Sequence, residues 1–294
     1  MEIFMQPYDA CRLIAVNLFS FVENPFTPEA KFDFEKFYKI NYEAMRLSDD
    51  LIDLELEHID RILRKITEDP EPFEDRRTEF ELWEKIKKTA TASSRTGLGF
   101  TALGDALAAL GLKYDSDEAL KIIDKIMHTK MESELDCTVD LAILRSTFTG
   151  WDKKLEFHDD GLGNLSGKND FYQFLSFDFP EQAERMYEYG RRNVSWSTVA
   201  PTGTVSIMSA STSGIEPLFS PYYFRRKKIN PNDEGARVDF TDQNGDKWQE
   251  FPVLHPKFKD WIETTADFKE QFEASLITKV EDFNKATLES LAYA

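Results

Sequence analysis

Residues 200–206, Ala200-Pro201-Thr202-Gly203-Thr204-Val205-Ser206, put three hydroxyls and a run of backbone amides into seven positions. That composition suits an anion cradle. Thr202, Thr204 and Ser206 can each donate to a phosphate oxygen, and Gly203 allows close approach to the backbone. A helical turn that follows would aim its N-terminus at the anion. The stretch has neither the lysine nor the second glycine of a P-loop. An ordinary Pro-Thr-Gly turn between two elements is the competing reading of the same residues.

A second set lies at the N-terminus, where Glu2 stands nine residues before Cys11 at the start of a β-branched, aromatic run. A carboxylate and a thiol at a strand start can act as an acid/base and redox pair. The alternative is an unordered start followed by an inert, buried cysteine. His58, His128, His158 and His255 are scattered without H-x-x-x-H or H-E-x-x-H spacing, which argues against zinc. No Gly-x-Ser-x-Gly nucleophile elbow occurs. The basic run Arg225-Arg226-Lys227-Lys228 reads as a solvated edge rather than a phosphate site.

The elements that must position these residues belong to a chain of 294 residues with a formal net charge of −18. That charge disfavours nucleic acid and anionic membrane as non-specific partners. It leaves room for a small anion held by local amides. A hydrophobic content of 41% with 24 Phe supports a sizeable core. Two cysteines, no apolar run of about 18 residues and no signal-like segment after Met1 point to a soluble, cytoplasmic protein.

The patterning predicts a strand over 12–22 buried on both faces, then a long helix from Thr27 or Pro28. Its inner face would carry Phe37, Ile40, Ala44, Leu47, Leu51, Ile59, Ile62 and Ile66. A charged connection over 68–79 leads to a second helix over 79–92. Residues 93–112 open with a glycine-rich turn and continue as a small-residue helix closed by Gly111. A Ser-capped helix spans 116–147, a loop covers 149–171, and Pro180 starts a helix that runs through Arg192. The alternating "NVSWSTVA" is a short strand that delivers the 200–206 loop. A hairpin around Asn244-Gly245 is expected within 230–256, followed by a final pair of helices. Strands separated by helices give an α/β class with a mostly parallel sheet or barrel.

Three stretches, "EIFMQPYDACRLIAVNLFSFV", "SSRTGLGFTALGDAL" and "RRNVSWSTVAPTGTVSIMSASTSGIEPLFSPYYFRR", resemble the catalytic subunit of ribonucleotide reductases, most closely the adenosylcobalamin-dependent class. They occur in the family's order and span essentially the whole chain. The resemblance implies part of a ten-stranded α/β barrel, with residues 1–294 as a single partial catalytic domain. It implies thiyl-radical reduction of ribonucleoside di- or triphosphates, with Glu2 as general base and Cys11 as one of two reducing thiols. Ala200, Pro201, Thr202, Gly203, Thr204 and Val205 match the loop that binds substrate phosphates. A lysine-free loop fits a phosphate that is held and not transferred. Adenosylcobalamin, an external dithiol such as thioredoxin and a homodimeric assembly are implied as well.

The Asn and radical Cys that precede the family's glutamate have no counterpart here, nor has the thiol partner of Cys11. Cys137 matches no catalytic position and reads as a core thiol. The expectation is a middle segment, inactive alone, whose open strand edges promote association. Two alternatives stand beside this reading: a catalytically dead nucleotide-binding or regulatory module, and a segment of the di-iron-dependent class.

Overall fold

The computed structural model describes residues 4–161, 165–230, 233 and 235–265. Glu2 and the second of the two expected C-terminal helices lie outside them.

The first strand, β1 (Arg12–Asn17), is shorter than the run of β-formers. The Asn17 side chain accepts from Phe19 N at 3.1 Å and turns the chain into a single 3-10 turn, Leu18–Phe21. Only one face of β1 is buried: Leu13 is 53% exposed while Val16 is in the core. Two short strands, β2 (Val22–Glu23) and β3 (Lys31–Phe32), pair antiparallel. They hold residues 31–32 out of the helix expected from Thr27. That helix, α1 (Phe34–Glu68), starts where Asp33 accepts from Lys36 N at 2.9 Å.

The inner stripe of α1 is also not the one its apolar spacing suggests. Ile40 and Leu47 are exposed, whereas Asn41, Ser48 and Asp49 are buried beside Phe37, Met45, Ile52, Ile59 and Ile66. The polar members are tolerated inside because each is hydrogen-bonded. Asn41 donates to Ser133 Oγ at 2.8 Å and Ser48 donates to Arg12 O at 3.3 Å. Asp49 accepts from Arg145 at 2.8 Å and from Asn193 Nδ2 at 2.9 Å.

Pro72 starts α2 (Phe73–Ser93) earlier than expected, since the charges of 74–79 are an exposed first turn with Glu74 and Asp75 at its favourable end. The "TGLGFT" stretch is not a turn. It is β4 (Thr96–Thr101), parallel to β1 in the register Arg12↔Thr96 to Asn17↔Thr101. Neither Gly97 nor Gly99 has a positive φ, so these glycines serve packing rather than turning. After β4 come α3 (Leu103–Ala109) and α4 (Asp117–Arg145), the latter capped by Ser116 accepting from Ala119 N.

The expected loop over 149–171 contains α5 (Lys153–Glu156) and an antiparallel pair, β5 (Phe157–Asp159) and β6 (Leu165–Gly167). Next are α6 (Asp170–Asp178) and α7 (Pro180–Tyr189), which stops short of Arg192 because Gly190 takes φ 79°. Instead of forming a full strand, 195–198 lies along the free edge of β4. Leu98 N donates to Trp196 O, Thr198 N donates to Leu98 O, and Leu98 and Ser197 form one parallel bridge.

α8 (Gly203–Ser209) is followed by an antiparallel sheet of order β7-β9-β8: β7 (Tyr222–Lys228), β8 (Phe240–Thr241) and β9 (Lys247–Leu254). Asn244-Gly245 lies in the β8–β9 turn, and α9 (Pro256–Thr264) packs Phe258 and Ile262 against Tyr222 and Leu254. The described strands form separate two- and three-stranded sheets and do not close into a barrel.

The main core lies between the β1–β4 sheet and helices α1 and α4. Leu98 and Phe100 of β4 enter it with Met45, Phe37 and Leu135. A charged side chain, Lys130 of α4, crosses this layer with only 4% of its side chain exposed. Its Nζ donates to Leu98 O at 2.9 Å, to Ser197 Oγ at 2.7 Å and to Glu134. Burial pushes the Glu134 carboxyl up, outweighing the pull of Lys130. Lys130 thus clamps the 195–198 segment onto β4. Removing one partner of a buried ion pair costs about 3 kcal/mol or more. Lys130→Met is expected to lower unfolding free energy by about that amount in urea titrations. Unchanged stability would contradict the clamp.

Candidate functional site

The face of β4 turned away from α1 and α4 carries Gly97, Gly99 and Thr101, since alternate residues of a strand share a face. The glycines make room for their neighbours. A Cβ on Gly97 would lie 2.5 Å from Cys11 Sγ, 2.8 Å from Leu13 Cδ2 and 3.1 Å from Thr198 Cγ2. On Gly99 it would meet Thr198 O at 3.1 Å and Thr198 Cγ2 at 3.5 Å. The Cys11 sulfur therefore rests on the sheet at a position that only glycine permits.

The segment that brings Cys11 there is fixed by buried ion pairs. Asp9 accepts from Arg95 Nε at 2.6 Å, from Ser93 Oγ at 3.3 Å and from Ala10 N at 2.9 Å. Arg95 reaches on to Ser195 Oγ at 3.0 Å. Arg12 Nε meets Glu55 at 2.5 Å while its NH1 donates to Ala10 O at 2.7 Å. The start of β1, the start of β4 and the 195–198 segment are thereby tied together at the thiol's end.

The 200–206 loop sits at the opposite end of β4. Thr101 Oγ1 donates to Thr212 O at 2.7 Å and accepts from Thr202 Oγ1 at 3.3 Å. Thr202 Oγ1 in turn accepts from Gly214 N at 2.7 Å. This corrects the expectation that three hydroxyls face a ligand. Thr202 is 5% exposed and latches the loop to its return segment. Ser206, also 5% exposed, donates to Gly203 O at 2.8 Å. Thr204 alone of the three is exposed, with Pro201, Gly203 and Val205 beside it and Ala200 buried.

Ser206 N closes the first turn of α8 on Thr202 O at 2.7 Å. Among the described residues the amides of Gly203, Thr204 and Val205 have no chain acceptor. A Cβ on Gly203 would meet nothing within 4 Å, so the chain itself does not require glycine there.

The two cysteines differ in kind. Cys137 is fully buried in α4, and burial, with Asp140 and Asp49 nearby, pushes its thiol far above the usual range. It is a core residue, whereas Cys11 is partly exposed. The described residues hold no cluster of three or more His, Cys, Asp or Glu placed for a metal ion. His128 stacks on Phe179 and His255 pairs with Asp105. No helix among the described residues is long and apolar enough to cross a membrane. Of the site residues named from sequence, the structure puts Cys11 and Ala200–Val205 on one strand's two ends; Gly97, Gly99, Thr101 and the Asp9–Arg95 pair were not foreseen.

The parallel pair β1–β4 packs against α1 and α4 on one face and carries the Cys11 sulfur on the other, an α/β layer. The model of the ribonucleotide reductase barrel domain matches residues 1–234, and the chain belongs to that family. It is 26% identical over 224 residues to the vitamin B12-dependent ribonucleoside-diphosphate reductase of Mycobacterium tuberculosis, covering 76% of this chain and 24% of that protein. The enzyme of the same name from Thermoplasma acidophilum is 26% identical over 219 residues, covering 74% and 21%. The ribonucleoside-diphosphate reductase subunit alpha of Treponema pallidum matches at 26% over 137 residues, covering 45% and 15%. The chain thus spans about a quarter of the first two relatives' length.

Alkylation separates the two thiols. Iodoacetamide at mildly alkaline pH is expected to label Cys11 in the native chain and Cys137 only after denaturation. Equal native labelling of both, read by peptide mass, would contradict this assignment.

Proposed function

We propose that this chain is the part of a radical ribonucleotide reductase that holds the substrate's phosphates and supplies one reducing thiol. The observation that carries the reading is the placement of Cys11 and the 200–206 loop toward the two ends of β4. Gly97 and Thr101 are four residues apart, about 13 Å at roughly 3.3 Å per residue. That span accommodates a ribose and its phosphate chain, and Gly97 and Gly99 give the Cys11 sulfur and the Thr198 side chain room against the strand.

In this reading the amides of Gly203, Thr204 and Val205, with the Thr204 hydroxyl, bind the phosphates. Ala200, Pro201 and Thr202 shape the loop. Such a cradle needs no lysine, because the phosphates stay on the substrate. The reaction exchanges C2′–OH for C2′–H, releases water and converts two thiols to a disulfide. Cys11 is one of those thiols, and an external dithiol such as thioredoxin restores it by exchange. Glu2 takes the 3′-hydroxyl proton. The hydrogen-abstracting Cys, its Asn neighbour and the second reducing thiol are assigned to polypeptide beyond these 294 residues, so this chain does not reduce nucleotides alone.

The relatives' names bring in cobalamin. Among the described residues His255 and His128 are engaged with Asp105 and Phe179, so the cofactor enters this proposal from the relatives' names alone. Parallel sheets are covered on both faces, and Leu13 of β1, 53% exposed, supports residues 1–294 as one segment of a ten-stranded barrel, with 230–256 as an inserted hairpin. A cytoplasmic homodimer completes the proposal.

Binding of a nucleoside diphosphate to the chain, followed by calorimetry, tests the cradle. Gly203→Val introduces a side chain into empty space and is expected to weaken binding about tenfold or more, with the melting temperature kept. Cys11→Ser is expected to bind as the native chain does. Equal affinity of Gly203→Val and the native chain would sink the assignment.

A further inference from the structure

His255 lies at the N-terminus of α9, outside the sheet that carries the site, and its Nε2 stands 2.7 Å from Asp105 Oδ1. Both side chains are largely buried, 11% and 3% exposed. A carboxylate oxygen only accepts, so the imidazole donates. The other oxygen, Asp105 Oδ2, accepts from Thr212 N at 2.7 Å, and Thr212 Oγ1 accepts from Asp105 N at 3.3 Å. Thr212 O accepts from Ala102 N at 2.9 Å and from Thr101 Oγ1 at 2.7 Å. Thr101 Oγ1 accepts from Thr202 Oγ1, on which Gly214 N closes. An unbroken run of hydrogen bonds therefore joins His255 to Thr202, the residue before the Gly203–Val205 amides.

The far end of the run belongs to the β7–β9 sheet and α9. His255 N donates to Pro221 O at 2.9 Å, and Lys257 Nζ sits 4.3 Å from the centre of the Phe19 ring. This antiparallel module shares a small core with α9, and His255 and Lys257 reach from it to Asp105 and the Phe19 ring.

We infer that His255 is a positioning residue for the phosphate loop: through Asp105 it fixes Thr212, and through Thr212 and Thr101 it fixes Thr202. The inserted hairpin and α9 thereby set the aim of the Gly203–Val205 amides without touching the ligand. A carboxylate that holds a loop amide needs its second oxygen restrained, or the side chain is free to rotate and the Thr212 amide loses its acceptor. His255 supplies that restraint. Buried polar groups linked in this way act as a unit.

The inference rests on the phosphate-binding reading, and two readouts keep the two apart. The first is amide hydrogen exchange in the full 294-residue chain without ligand. His255→Ala is expected to speed exchange at Thr212 and Gly214 about tenfold or more, the loss of a hydrogen bond to a charged group. His255→Gln, whose amide can donate to the same carboxylate, restores protection to within about threefold. The second readout is the dissociation constant for a nucleoside diphosphate, expected to rise about tenfold in His255→Ala and to recover in His255→Gln at equal melting temperature.

Unchanged exchange at Thr212 and Gly214 in His255→Ala overturns the inference, whatever the binding result. Faster exchange with unchanged nucleotide affinity overturns it too, since the loop's aim would then not depend on His255. If the native chain binds no nucleotide, the phosphate reading fails while the exchange data still decide the linkage. If His255→Ala does not fold, Asp105→Asn and His255→Gln are compared: loss of Thr212 protection in the first but not the second supports the run, and equal protection overturns it.

Discussion

β4 is buried along its entire length, and its two faces impose opposite demands on the sequence. Toward the helices it must present bulk, and Leu98 and Phe100 fill the core. Toward the site it must present almost nothing, because the Cys11 sulfur and the Thr198 side chain already occupy the space a Cβ would need. A strand of alternating glycines would be weak alone, since glycine gains most freedom on unfolding. Its neighbours compensate with a full parallel ladder to β1, backbone bonds to 195–198 and the Lys130 clamp.

The same pattern of charged groups inside the structure recurs at each corner of the layer. Asp49 gathers Arg145, Arg192 and Asn193 at one point; Asp9 and Arg95 hold the start of both strands at another. Such pairs add little net stability, because desolvation offsets their attraction. What they contribute is geometry. Each joins segments far apart in sequence at a single atom, and together they set where Cys11 and the loop stand relative to each other. The apolar core supplies the stability, and the buried polar ties supply the register.

Helices were the most legible elements, since Ser116 announces α4 and apolar periodicity carries α1. Their inner stripes were less so. The burial of Asn41, Ser48 and Asp49 in place of Ile40 and Leu47 depends on partners from β1, α4 and Asn193 that no local pattern contains. "TGLGFT" was misread because glycine usually signals a turn; here it signals crowding by Cys11, a contact across 86 positions of chain. Of the site, the loop and the thiol were visible as residue types in the sequence. The latching of Thr202 was not, because it depends on Thr101 and Gly214, while Ser206 turns back on Gly203 O within its own turn. The glycines at 97 and 99, alternating with Leu98 and Phe100, were the available sign of a strand crowded on one face.

The central claim is that one strand holds a reducing thiol toward one end and a phosphate cradle toward the other. Titrating a nucleoside diphosphate into the isotopically labelled chain and following backbone amide resonances tests it most directly. The account predicts shifts concentrated at Gly203, Thr204 and Val205, continuing to Gly97 and Gly99. Shifts confined to the basic edge Arg225–Lys228, with the 203–205 amides unmoved, would contradict it.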